Sequence, residues 1–215
     1  MSRNTLSGLF AAPLVLVLSL CLANPTAAAT PTTATETAAV LQTKMALRDL
    51  WVEHVFWIRS YVLATHAGDE AQSKVAEAEV VANAKALAAT IKPFYGQAAS
   101  DSLFTLLAGH WAAVRDYNTG LVSHSHPARD KAAQAITANA HEIAKFLSGA
   151  NPYLPEDTVF GLLAAHGAHH MAQSNQVAAN DFRSEAQTWH GMRRHMLMIS
   201  DSIAGALAKQ FPDRF

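Results

Sequence analysis

A seven-residue block recurs 56 positions further along this chain. Phe104-Thr-Leu-Leu-Ala-Gly-His110 and Phe160-Gly-Leu-Leu-Ala-Ala-His166 share five identities. Upstream, at the same offset, Asn83-Ala84 matches Asn139-Ala140, Leu87 pairs with Ile143 and Ala88 with Ala144. Between these blocks the second copy shifts by two residues, so Tyr95 falls opposite Tyr153. A supersecondary unit repeated in this way cannot bury its apolar face alone and must stack on its copy. The expected unit is an antiparallel helical hairpin made of the second and third helices. The fourth and fifth helices form its copy, and the first and sixth flank the pair in one bundle.

Apolar periodicity and punctuation define those helices. The first is expected over 41–66, with Leu47, Leu50, Trp51, Val55, Ile58 and Val62 at helical spacing. Asp69 can cap the second, which runs to Ile91 before Pro93-Phe94-Tyr95-Gly96. Ser100 or Asp101 is expected to cap the third, which ends near Asn118 and Gly120. His126-Pro127 opens the fourth, and Gly149-Ala150-Asn151-Pro152 closes it. Pro155 sits at the first turn of the fifth, which runs to Ala179. Asp181 caps a long sixth helix that ends at Phe211-Pro212. No alternating strand pattern competes. The fold class is therefore all-α, an antiparallel bundle of about six helices with an internally duplicated hairpin.

The first 40 residues read as processing and spacer sequence. Arg3 precedes a 15-residue apolar run at 9–23, and Ala27 and Ala29 supply a small-x-small cleavage pattern. Residues 1–29 are thus expected to be a signal peptide cleaved near Ala29, residues 30–40 a Thr/Ala/Pro spacer, and residues 41–215 the bundle domain. An apolar run of 15 is short for a membrane span, which needs about 20 residues. The expectation is export to the periplasm or beyond, with no membrane span in the mature chain. Cys21, the sole cysteine, would leave with the leader, so any metal site must use His, Met, Asp or Glu. A formal charge of −1 offers no basic face for nucleic acid.

Histidines occupy apolar stripes where that residue is unexpected. His54 lines up with Leu47, Trp51, Ile58 and Tyr61; His110 with Leu103, Leu107, Val114 and Tyr117. His166 and His170 continue Val159 and Leu163, and His195 lies between Met192 and Ile199. An imidazole buried without partners costs about 1–3 kcal/mol, so these rings need hydrogen bonds or a shared ion. The candidate metal ligands are His54, His110, His166, His170 and His195, with zinc or copper as the ion. The alternative is a non-metal structural or interaction module whose core histidines are hydrogen-bonded, holding no cofactor.

Other patterns add less. Met171, Met192, Met196 and Met198, beside His169, His170, His190 and His195, make a Met/His-rich stretch that would suit copper, or that simply fills the core. His169 reads as a neighbour of the site or as a solvent-facing ring. Asp49, Glu53 and Asp116 are candidates to orient histidines, and Arg59 to pair across the bundle or hold an anion. HExxH, the paired Glu-x-x-His of di-iron bundles and CxxCH are all absent. No catalytic residue is assigned; an enzyme would need an open coordination position in addition. A metal ion or small ligand is the expected partner, and no protein partner is named by these residues.

Several short motifs, taken together, resemble a family of small bacterial helical proteins of unestablished function. They are Leu50-Trp51-Val-Glu-His54-Val55-Phe-Trp57-Ile58-Arg59, Pro93-Phe-Tyr95-Gly96, Leu106-Leu107-Ala-Gly-His110, Asn151-Pro152-Tyr-Leu-Pro155 and Gln210-Phe211-Pro212. Ile58 stands where the resemblance leads one to expect Thr. The resemblance implies a helical bundle over nearly the whole mature chain and carries no catalytic residues with it.

Overall fold

The computed structural model describes residues 36–215, so the leader and all of the spacer before residue 36 lie outside the described residues. The described chain forms six α-helices: α1 (Ala38–Ala67), α2 (Glu70–Ala89), α3 (Lys92–Val122), α4 (His126–Ala150), α5 (Glu156–Ala178) and α6 (Phe182–Gln210). A 3-10 turn follows at Pro212–Arg214, and no strand occurs among the described residues. The first helix begins three residues earlier than its pattern suggested, because the Thr37 side chain accepts from the Val40 N–H and caps it. The third begins before Ser100. Gly96, at φ 84°, kinks it, while Ser100 is buried and donates to the Ala88 carbonyl instead of capping.

The 56-residue offset holds across three units rather than two. The N-caps of α2, α4 and α6 are Asp69, Ser125 and Asp181, each accepting from a backbone N–H of the first turn. One residue earlier stand Gly68, His124 and Asn180, the left-handed residues of the three hairpin turns, at φ 73°, 55° and 56°. Three equivalent cross-helix bonds follow. Asn83 donates to the Leu50 carbonyl, Asn139 to Leu106 and His195 to Leu162, each spanning 33 residues. The repeating hairpins are thus α1–α2, α3–α4 and α5–α6. The matched blocks in the sequence fall in the second half of one hairpin and the first half of the next. The helices expected to flank are the first half of the first unit and the second half of the third.

Packing closes these units into a ring about a near-threefold axis. The helices α1, α3 and α5 touch one another inside, and α2, α4 and α6 each pack between two of them, with α6 returning to α1. Equivalent side chains stack in layers: Leu47, Leu103 and Val159; then Trp51, Leu107 and Leu163; then His54, His110 and His166; then Ile58, Val114 and His170. At one end, the turns after α2, α4 and α6 are tied together. The Tyr95 hydroxyl donates to Gln210 Oε1 and accepts from Asn151, while Gln210 Nε2 donates to the Ala150 carbonyl.

In α5 the residue after His166 is Gly167, where the other repeats carry Val55 and Trp111. A Cβ there would lie 2.5 Å from Cγ2 of the buried Ile136. Gly167→Ala is therefore expected to force α5 outward and cost about 1–3 kcal/mol, read as a lower midpoint in urea. Gly205→Ala, in open space on α6, is expected to stabilise by up to about 1 kcal/mol. Equal effects from the two changes would refute the close-approach argument.

Candidate metal centre

Four imidazoles meet at the centre of the bundle. His54 comes from α1, His110 from α3, and His166 and His170 from successive turns of α5. They are 1%, 4%, 1% and 2% exposed. Each can offer one nitrogen to a set whose members all lie within 4.8 Å of one another. The tightest pair, His166 Nε2 and His170 Nε2, is 3.1 Å apart. Metal–nitrogen bonds of about 2.0–2.1 Å place tetrahedral donors roughly 3.3 Å apart, so that pair is already near the required spacing, and the whole set lies within 4.8 Å. Ring centroids stand 4.3 to 6.3 Å apart, surrounding a common point.

The rings are held from outside by groups that leave this centre free. Trp51 meets His54 and His166 edge-on, at 5.8 and 6.2 Å between centroids. The carboxamides of Asn83 and Asn139, anchored by their Nδ2 atoms on the Leu50 and Leu106 carbonyls, approach the His54 and His110 rings. Their Oδ1 atoms have no hydrogen-bond partner. Such an acceptor favours a proton on the nitrogen facing it and so frees the opposite nitrogen as a ligand. Glu53 accepts from Asn83 and so extends the arrangement to a carboxylate at the surface. Asp49 and Asp116, the other proposed orienting acids, are exposed, and Asp116 lies against Arg115.

His195 does not join the four. Its Nε2 donates to the Leu162 carbonyl at 2.7 Å, the role that Asn83 and Asn139 fill in the other repeats. A histidine in an apolar stripe reads the same whether it is a ligand or an anchor, and only the third copy of the cross-helix bond separates the two. His169 lies beside His195 at 5.4 Å. Met192 and Met196 are fully buried in the apolar core, as their helical spacing allowed, and Met198 is exposed. Arg59 makes a two-pronged ion pair with the buried carboxylate of Glu185, 2.6 and 2.7 Å, which also accepts from Gln173. That anchor settles Arg59 as a cross-bundle pair. Glu185, with no expected role in the sequence, is its unforeseen half.

Burial keeps the four rings neutral. Desolvation, then the neighbouring His110, pushes His54 down to about 3. Desolvation pushes His110 to about 4, against the opposing pull of Asn139. His166 and His170 are held well below the ordinary value, by desolvation first and then by the neighbouring imidazoles. The cluster therefore presents uncharged donors at neutral pH, as metal ligation by imidazole requires. Comparison with protein-family models, with curated proteins and with solved structures returns no match.

The same burial sets an acid limit on the metal-free protein. Above the ordinary histidine value of 6.5 the rings are neutral whether folded or unfolded. Below it the unfolded chain takes up protons that the folded interior refuses, so stability falls as pH drops. Each ring contributes about 1.4 kcal/mol per pH unit, and four together roughly 5. Against a typical stability of about 5–15 kcal/mol, cooperative unfolding is expected near pH 4–5. Circular dichroism across an acid titration checks this. A fold that persists unchanged at pH 3 would contradict it.

Proposed function

We propose that this protein binds a single transition-metal ion, zinc or copper, through His54, His110, His166 and His170. The observation that carries the reading is the convergence of four fully buried imidazoles from three helices, with six of their eight ring nitrogens lacking a protein partner. A structural role for the rings would have them separately hydrogen-bonded, as His195 is. One ion satisfies four of the nitrogens at once, and Asn83 and Asn139 stand ready for two of the others. The apolar run at 9–23 followed by Ala27 and Ala29 supports export of the loaded or loading protein. The motif resemblance is consistent with a family built on this bundle. Among the described residues no helix is long and apolar enough to cross a membrane.

The test is metal analysis of the tag-free mature chain, with titration of the metal-free protein. One equivalent of zinc or copper is expected to bind, and at a free concentration 100-fold above the dissociation constant to add about 2.7 kcal/mol of stability. For a chain of this length that raises the melting temperature by roughly 5–10 °C. His166→Ala is expected to abolish the shift, since it removes a ligand and its neighbour's hydrogen-bond partner together. Asn139→Leu, which deletes only the group behind His110, is expected to weaken binding by about 10–100-fold. No shift with any divalent or monovalent ion would return the four rings to a purely structural role.

A further inference from the structure

The donor set also discriminates among ions. We propose that the resident ion is monovalent copper, Cu(I), in preference to Zn(II) or Cu(II). This inference rests on the metal-binding reading above and adds the charge and geometry of the occupant.

Every donor in the cluster is a neutral imidazole; among the described residues no carboxylate or thiolate belongs to it. Two acids of the surrounding polar network are already engaged. Glu185 is 1% exposed but is matched by Arg59 and Gln173, and Glu53 is an exposed residue that reaches His54 only through Asn83. An ion at the centre would therefore keep its full charge in a buried interior, with Trp51, Leu107, Ala140, Ile143 and Leu163 lining the space on one side of the rings. The cost of stripping an ion of water scales with the square of its charge, so a divalent ion faces about four times the penalty of a monovalent one. An added anion could offset the difference, but the cavity beside the rings is only about 10 Å³. That is barely the room of one water molecule, so the space beside His54, His110 and His166 offers little seat for a hydroxide or chloride next to the ion. Four donors enclosing a point from three directions also suit a closed tetrahedral shell. Cu(II) favours a tetragonal one, and imidazole accepts copper in either oxidation state.

The full mature chain, freed of metal, is titrated anaerobically with Cu(I) against a colorimetric Cu(I) chelator and separately with Zn(II) against a fluorescent zinc chelator. One equivalent of Cu(I) is expected to bind at least 100-fold more tightly than Zn(II), and to remain silent in electron paramagnetic resonance after exposure to air. Zn(II) binding as tight as Cu(I), or a stoichiometric Cu(II) signal, overturns the proposal while leaving a metal site in place. Binding of neither ion removes the underlying reading as well. Val114→Glu probes the charge argument directly, since position 114 is the α3 equivalent of His170 and already faces the same layer. The added carboxylate is expected to narrow or reverse the preference for Cu(I), and an unchanged ratio in a folded variant would overturn the argument. Should that variant not fold, the wild-type ratio decides alone.

Discussion

Packing His54, His110, His166 and His170 against one another takes eight ring nitrogens out of water, and only the facing pair between His166 and His170 regains a partner in the protein. Each orphaned nitrogen costs about 1–3 kcal/mol, so six of them rival the entire stability of an ordinary domain. The surrounding bundle must therefore supply unusual packing, and it does so symmetrically. Layers of Leu47, Leu103, Val159 and of Trp51, Leu107, Leu163 close one side, while Ile58 and Val114 flank His170 on the other. The ring of six helices is what allows three equivalent positions to reach one axis. A linear row of hairpins would have left them apart.

That geometry also explains the asparagines. In the first two repeats a carboxamide fixes its amide on the carbonyl four residues before the histidine, beside the ring, with its oxygen unpaired. A hydrogen bond to that oxygen would use one ring nitrogen on the outside and leave the other for the centre. Without a central ion the arrangement orders the rings but leaves the inner nitrogens unmet. With the proposed ion, both nitrogens of the imidazole would be used. On that reading the outer groups belong to the site as much as the rings do.

Much of this was legible in the residues. The helices follow from periodicity and from caps such as Asp69 and Asp181, and the matched blocks ending at His110 and His166 announced equivalent core positions. The third copy was harder to see. The His54 segment keeps Leu47, Leu50 and His54 of the pattern but replaces leucine by Trp51, and the last hairpin puts His195 where the others have asparagine. Side-chain identity had drifted while backbone geometry had not. The turn residues Gly68, His124 and Asn180 show this plainly, since three different residues adopt one left-handed conformation. Nor could spacing separate His195 from the clustered rings, because a ring that donates to a carbonyl and a ring that joins the cluster occupy the same face of a helix.

The departures from threefold symmetry gather in the third hairpin, and they act in one direction. A symmetric trio of His54, His110 and His166 would give a trigonal set open along the axis. Where the first two repeats fill that opening with Ile58 and Val114, the third supplies His170. Bringing a second ring from the same helix inward requires α5 to sit close, and Gly167 permits it by leaving no Cβ to strike Ile136. One turn on, Gln173 replaces the Tyr61 and Tyr117 of the other repeats and reaches the buried Glu185, which Arg59 of α1 holds in turn. The charge of that carboxylate is thereby spent within its own ion pair, beyond the four rings rather than among them. The same hairpin that completes the donor set thus keeps anionic charge out of it. A repeat that had drifted at random has no reason to couple a fourth imidazole, a missing side chain and a neutralised acid. The closed, uncharged shell of nitrogen proposed for Cu(I) would use all three.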